Sequence, residues 1–523
     1  MRTLLLGLDG ATFTVLDHLV GEGEMPNLEN FYRHGTRSRL RSTPLPITPQ
    51  AWTSLATGRS MGHHGLNDFV RIDLADGRAY AHFNTAKDNH CETLWKYASR
   101  EGRRVTVLNY FGTAPPQELN GQSIPGFVPS RYLRRSSWPP ELIPELKELG
   151  TIDVSRLGLE LDVEKQALSR MPEERWLPWI DQHIAREEAW FQTLEHLMVS
   201  DPSDLTIVVF DGVDKVQHLA YRFLDPSTTP ANPSAWEAQV IERCRVYFRK
   251  MDEYLGRMIE LLGDEARVFI ASDHGFTDST EVVYVNKWLH EQGLLFWKEE
   301  QEVDTKEAIY VDHLKDYLGQ LDLERTRAFA LTPSSNGIFI NVPEEEYAEF
   351  QDDLVRRLGT FLAPDGGQVV TEVKKREEWF AGPYMHHAAD LTLTLRDFGH
   401  ISVLNGRETV VGRSEPWGTH HPDGVLLAAG EGIRQGHEEE RRDILDVAPL
   451  LLHSVGLPIP AEYEGTFPRE FFEPEHLAGD PVLIGGATQA PGDPDPAQEA
   501  QGDLDEEDQE ILLQRLRSLG YIE

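Results

Sequence analysis

Three short apolar runs in this chain each end on an aspartate, and that repetition constrains the fold more than any other feature. Leu205 to Phe210 is an uncharged, β-branched run that stops at Asp211, the pattern of a parallel strand covered on both faces. The segment LLLGLDGAT ends its apolar run at Asp9, and RVFIASDHG ends at Asp273 with His274 next. Asp214 and His218 follow the Leu205 run four residues apart, a spacing that puts both on one side of a helical turn. In an open parallel sheet, ligands sit beyond the carboxyl ends of the strands. Three strands that each deliver a carboxylate there describe one site.

Strand and helix signals alternate through most of the chain. Gly10 to Arg33 predicts one helix closed by Gly35, Thr93 to Arg100 a helix, and Arg104 to Asn109 a strand. Long helices over Trp179–Val199 and Trp236–Leu262 feed the strands at Leu205 and Val268. This order predicts an α/β, doubly wound, mainly parallel sheet with helices on both faces. At 523 residues the chain exceeds the roughly 250–300 that one core serves, so insertions forming a cap or second lobe are expected.

The expected division is core α/β over 1–111, a cap-like insertion over 112–178, core over 179–299, and a second lobe or sheet extension over 300–385. Core returns over 386–477, then an acidic low-complexity linker over 478–508 and a C-terminal helix over 509–523. A hairpin is expected within RAFALTPSSNGIFINV, a strand at Ala389–Leu395, a loop through WGTHH leading into a strand, and a helix over Asp443–Val455. Ala478 to Asp508, rich in Gly, Pro, Ala and Asp, reads as disordered.

Net charge excludes one class of function. The chain carries 50 basic and 87 acidic residues, net −37, which disfavours binding a nucleic-acid polymer through phosphate contacts. Two cysteines rule out a disulfide framework and thiolate zinc sites. No signal peptide is expected ahead of the first strand, and no apolar run approaches the roughly 18 residues of a membrane span. A cytoplasmic protein with no membrane partner is expected, its oligomeric state left open.

The chemistry follows from the ligand types. Asp9, Asp214, His218, Asp273, His274 and one histidine of the WGTHH loop offer carboxylate and imidazole donors, a set suited to zinc or manganese. Six ligands suit two ions, and two divalent ions about 3.5–4 Å apart clamp the attacking and leaving oxygens of a displacement at phosphorus. A small phosphate ester is thus the expected substrate. The nucleophile candidate is Thr48, read as the N-cap of a helix with Pro49 at its first position and Gly58 past its end. Its hydroxyl would be activated by an ion and stabilised by the free N–H groups of the helix start.

Other residues carry two readings. Asp211 either ligates or braces the loop, with the brace preferred, and Lys215 beside it is a second candidate for bracing or substrate contact. His63, His64 and His421 are assigned to structure or to supporting the ligands. Arg131, Arg134 and Arg135 form a basic patch that either meets substrate phosphate or is a solvated face.

Taken together, LGLDGAT, ITPQAWTSLATGRSMGHHG, FDGVDKVQH, IASDHG and GTHHPDG, in this order from Asp9 to about Gly430, resemble the alkaline phosphatase superfamily, and within it the nucleotide pyrophosphatase/phosphodiesterase-like, or type I phosphodiesterase, branch. The resemblance implies an alkaline phosphatase-like fold. It implies one zinc on Asp214, His218 and His420, and another on Asp9, Asp273, His274 and the Thr48 oxygen. It also implies a covalent phosphothreonine intermediate. The choice of His420 over His421 rests on this match.

Nucleotide-cleaving members carry a phosphate-contacting Asn where this chain has Phe69, and Asn67 lies close enough to substitute. The expected function is a phosphodiesterase or pyrophosphatase. Its alternatives are a phosphomonoesterase or phosphotransferase/mutase of the same superfamily, and a binding protein that has lost the chemistry.

Overall fold

A computed structural model of the chain describes residues 2–75, 78–159, 171–298 and 320–489. Among these, nine strands form the main sheet. Across it run His437–Glu438, Gly35–Arg41, Asp423–Gly430, Arg267–Ala271, Thr3–Leu8, Leu205–Phe210, Val105–Tyr110 and Gly121–Pro125, with Arg442–Asp443 also paired to Gly35–Arg41. Thr3–Leu8 lies at the centre, parallel to Leu205–Phe210 on one side and to Arg267–Ala271 on the other. Asp423–Gly430 is antiparallel to both its neighbours.

Burial on both faces explains why these strands read as continuous apolar runs. Leu5, Ile207, Val209 and Phe269 pack into a core on one face that includes Trp52 and Leu450. Their neighbours Leu4, Leu6, Val208, Phe210 and Ile270 pack into the other, against Trp190, Phe248 and Met258. Each such side chain contributes about 1.5–3 kcal/mol on burial, so a one-residue slip of any central strand would exchange the two cores. The sheet is a rigid base for whatever its strand ends carry.

Three smaller sheets accompany it among the described residues, one of them the antiparallel pair Val70–Ala75 and Arg78–Phe83. Ala328–Phe329, Gly337–Ile340, Leu391–Leu395 and Val370–Lys375 form the second, and Ile401–Ser402, Gly275–Tyr284 and Val410–His421 the third. The expected hairpin is present in the second, where Ala328 and Phe329 pair antiparallel with Ile340 and Phe339.

Several local expectations are corrected. The single helix over Gly10–Arg33 is two, Phe13–Gly21 and Pro26–His34, because Pro26 cannot continue a helix but starts one well. The strand near Ala389 joins the small sheet rather than the main one. WGTHH is the end of the strand Val410–His421 rather than a loop, because it pairs antiparallel with Gly275–Ser279. Gly121–Pro125, inside the expected insertion, is an edge strand of the main sheet, parallel to Val105–Tyr110.

Ala478–Gln489, expected as disordered, packs on the body: the Ile459 N–H donates to Leu483 O, and the Gln489 N–H to Glu92. The rest of the acidic linker and the expected C-terminal helix lie outside the described residues. Among the described residues, no helix is long and apolar enough to cross a membrane.

Candidate active site

The carboxyl ends of the three central strands converge. Asp9 follows Thr3–Leu8 directly; Asp273 and His274 lie just past Arg267–Ala271; Leu205–Phe210 runs through Asp211 into the helix Gly212–Ala220, which carries Asp214 and His218 one turn apart. The turn after Asp9 is tight. Gly10 sits at φ +69°, its N–H donates to Asp273 Oδ1 at 3.1 Å, and a Cβ there would lie 2.9 Å from the Phe276 ring. Glycine alone takes that conformation in that space cheaply.

Two groups of ligand types result, Asp214–His218–His420 and Asp9–Asp273–His274. In the first, Asp214 Oδ1 lies 3.3 Å from His218 Nε2 and 3.2 Å from His420 Nε2, and the two Nε2 atoms are 3.0 Å apart. In the second, His274 Nε2 lies 3.6 Å from Asp9 Oδ1 and 3.4 Å from Asp273 Oδ2. The groups abut: His274 Nε2 is 4.0 Å from Asp214 Oδ1, and the His274 and His420 rings stack at 3.6 Å.

The chemistry of these donors fits divalent ions. The Nδ1 atoms of His218, His274 and His420 lie 3.3, 3.1 and 2.6 Å from the carbonyl oxygens of Gly418, Gly275 and Pro46. A ring nitrogen facing a carbonyl carries the proton, so each Nε2 presents its lone pair inward. Asp9 Oδ1, Asp214 Oδ1, Asp273 Oδ2 and His274 Nε2 are buried without a hydrogen-bond partner. Orphaned acceptors that face one another repel unless a cation lies between them.

Protonation follows the same logic. Burial, then the charges of Asp273 and Asp214, push Asp9 well above the carboxylate range. Burial raises Asp273 to about 7 against the Gly10 N–H, with Asp214 adding to the rise. Asp214 is held low: burial would raise it, but His218 and His420 outweigh that. Burial lowers His274 to about 4 and, with His274 as neighbour, His420 to about 3, so both imidazoles are neutral ligands at pH 7.

Thr48 begins the helix Thr48–Thr57, whose N-cap is Ile47 and whose cap makes no side-chain hydrogen bond. Thr48 is thus the first helical residue rather than the expected N-cap, and its hydroxyl is not used as a cap. Its flanks touch both groups: Pro46 O accepts from His420 Nδ1, and Trp52 Nε1 donates to Asp9 Oδ2 at 3.2 Å. Ser42 Oγ further ties this approach to Asp273 O. At the helix start Gln50 Nε2 donates to Asn67 Oδ1 at 2.9 Å, which turns the Asn67 amide nitrogen away from Gln50.

The remaining candidates divide. Asp211 is braced by Asn109 at 2.9 Å, Lys215 at 2.9 Å and Arg186, so Lys215 is drawn to that carboxylate. His64 is buried between Ser54 Oγ and the Leu66 N–H, His63 faces Glu464, and His421 Nδ1 accepts the Asp423 N–H. Arg131, Arg134 and Arg135 are exposed, with Arg131 and Arg135 lying over the Tyr132 ring.

Trp52, Gln50, Arg186 and Glu187 were missed. Only Trp52 and Gln50 carried a signal, as residues one turn or less along the Thr48 helix.

The sequence pattern of the family described as type I phosphodiesterase/nucleotide pyrophosphatase matches residues 3–423. The chain belongs to that family. This phosphodiesterase-family chain is a phosphoric ester hydrolase of the alkaline phosphatase superfamily, whose members use divalent metals. Its fold is shared by murine ectonucleotide pyrophosphatase/phosphodiesterase 5, at 14% identity and TM-score 0.51 over 90% of this chain and 100% of that one. An inactive variant of the murine protein, in complex with AMP, matches at 15% identity and TM-score 0.51, with the same 90% and 100% coverage. Phosphonoacetate hydrolase from Sinorhizobium meliloti, in complex with phosphonoformate, matches at 16% identity and TM-score 0.53, over 87% of this chain and 95% of that one. A comparison with curated proteins finds no match.

Proposed function

We propose that this phosphoesterase is a phosphodiesterase or nucleotide pyrophosphatase that cleaves a small soluble phosphate ester, with Thr48 as nucleophile and a covalent phosphothreonine as intermediate. Asp214, His218 and His420 would hold one divalent ion, and Asp9, Asp273 and His274 a second together with the Thr48 oxygen. Zinc suits the donor set, with manganese the alternative. A bound pair of ions supplies positive charge to the attacking and leaving oxygens of the displacement.

The chain's own residues do the rest. Threonine is a poor nucleophile until its proton leaves. The free N–H groups and the dipole of the Thr48 helix favour both the resulting alkoxide and the phosphoryl oxygens. Asn67, its oxygen taken by Gln50, offers its amide N–H groups to a nonbridging oxygen. As the Thr48 oxygen bonds to phosphorus, the bond to one ester oxygen breaks and that group leaves as an alcohol or phosphate; water then cleaves the phosphothreonine, releasing the other half as a phosphate monoester and restoring the hydroxyl.

The observation that carries this reading is the orientation of three anchored imidazoles, each Nε2 aimed among buried carboxylates, beside the start of the Thr48 helix. Thr48→Ala is expected to lower hydrolysis of bis-p-nitrophenyl phosphate by a factor on the order of 10³ or more. Ion content and circular dichroism should stay as in the parent. A variant that turns over at the parental rate removes Thr48 from the role.

Monoester hydrolysis or phosphoryl transfer is the competing reading. Lys215 and Arg186, the cations behind the site, are both engaged by Asp211, which supports a substrate of single negative charge. A higher kcat/KM on mono- than on diester p-nitrophenyl substrates would reverse that preference.

A further inference from the structure

Behind the Asp214 helix lies a buried polar network that the proposed reaction does not use. The helix Glu173–Ser200 turns Arg186 and Glu187 inward, at 5% and 0% exposure, toward Asp211 and Lys215, each 1% exposed. Glu187 Oε1 accepts the Gly212 N–H at 2.7 Å and the Tyr247 hydroxyl at 3.3 Å. Arg186 donates to Asp211 and, at 3.1 Å, to Asn109 Oδ1, while Asn109 donates to Val209 O at 2.7 Å. Burying such charges costs several kcal/mol per ion unless each is paired, and apolar residues of like size often serve stability as well. A network of this kind points to placement rather than to strength.

What it places is the first turn of the helix that carries Asp214 and His218. Gly212 is the first residue of that helix, and its N–H has no partner inside the helix. Glu187 supplies that partner from a different helix. A Cβ at Gly212 would lie 2.6 Å from Glu187 Oε1 and 2.8 Å from the Tyr247 oxygen, so the carboxylate reaches the N–H only because residue 212 has no side chain. Burial, then the Asp211 charge, push Glu187 up to about 8, against Arg186, Gly212 and Lys215. Neutral or charged, its carbonyl-type oxygen accepts the same bond.

We propose that Glu187, which touches no candidate ligand, is a positioning residue for the Asp214–His218–His420 group: by holding the Gly212 N–H it sets where Asp214 and His218 stand, while Asp9, Asp273 and His274 stand without it. The proposal rests on the two-ion reading above. Supporting partners behind ligands typically change ion affinity by about 10- to 100-fold.

The test is Mn²⁺ titration by calorimetry on the full chain, beside thermal melts. Glu187→Leu is expected to weaken one of two ions by about 10- to 100-fold and leave the other unchanged. Glu187→Gln, whose amide oxygen still accepts the N–H, should bind both as the parent does. Gly212→Ala, which drives the carboxylate away, should reproduce the selective loss if Glu187→Leu fails to fold. In a His218→Ala background, Glu187→Leu should add no further loss, the signature of a shared site.

Parental affinity for both ions in Glu187→Leu, or equal weakening of both in Glu187→Leu and Gly212→Ala, overturns the proposal. A parent protein that binds no Mn²⁺ removes the two-ion reading itself, an outcome that Glu187 variants cannot imitate.

Discussion

The two ligand groups are built differently. Asp9, Asp273 and His274 sit at the ends of central strands of the main sheet, with side chains 0–2% exposed. Asp214 and His218 sit on a helix and His420 on a strand of a small outer sheet, and the His218 side chain is 14% exposed. The first group is part of the core; the second is assembled from elements that dock onto it. Precision at the strand ends comes from packing on both faces. Precision at the helix has to be supplied by hydrogen bonds, which is where Asp211, Arg186 and Glu187 stand.

The largest expected effect comes from removing a candidate ligand at a strand end. Asp273→Asn keeps the shape but removes a carboxylate that also receives the Gly10 N–H. Diester turnover is expected to fall by about 10³ or more, with one ion lost by elemental analysis. A variant that keeps both ions and activity would mean that the strand-end group is not a ligand set.

Acidity separates the groups next. In the ion-free protein Asp273 is raised to about 7, while Asp214 is held low. Filling the Asp9–Asp273–His274 group therefore displaces carboxyl protons, and affinity there should rise about tenfold per pH unit per proton up to about pH 7. At the Asp214 group the dependence should be flatter. The stability sign is also fixed. A carboxyl whose folded pKa exceeds its unfolded value binds a proton between about 3.8 and 7 that the unfolded chain does not. The ion-free protein thus loses stability as pH rises through that window. Calorimetry in buffers of different ionisation enthalpy counts the protons, and equal counts for both ions would erase the contrast.

The smallest effect is expected at Trp52. Trp52→Phe removes the Nε1 donor to Asp9 and little volume, costing about 1 kcal/mol of stability in urea melts and raising Asp9 further. A shift at the Asp214 group instead would contradict the separation of the two.

Much of the candidate site was legible in the chain because Asp9, Asp273 and His274 stand at or just past apolar runs, where strand ends must turn, and Asp214 and His218 follow a third such run at helical spacing. His420 was legible only through family resemblance. The structure shows why: its place depends on pairing with Phe276, more than a hundred residues earlier. Arg186 and Glu187 were illegible, since a charged pair in mid-helix looks like a solvated surface until another helix docks on it. The Thr48 helix was read within one residue. Its threonine resembled a cap because the local pattern of Thr, Pro and Gly is shared by capped and uncapped starts.

The strand Asp423–Gly430 lies between Arg267–Ala271 and Gly35–Arg41, near the middle of the main sheet. During synthesis the ribosome delivers it late, just after His420. Its two sheet partners both precede it in the chain by more than 150 residues. The strand that fills this place in the sheet and the histidine that completes the Asp214–His218–His420 group therefore come from one continuous stretch of chain, so a deletion there would open both at once.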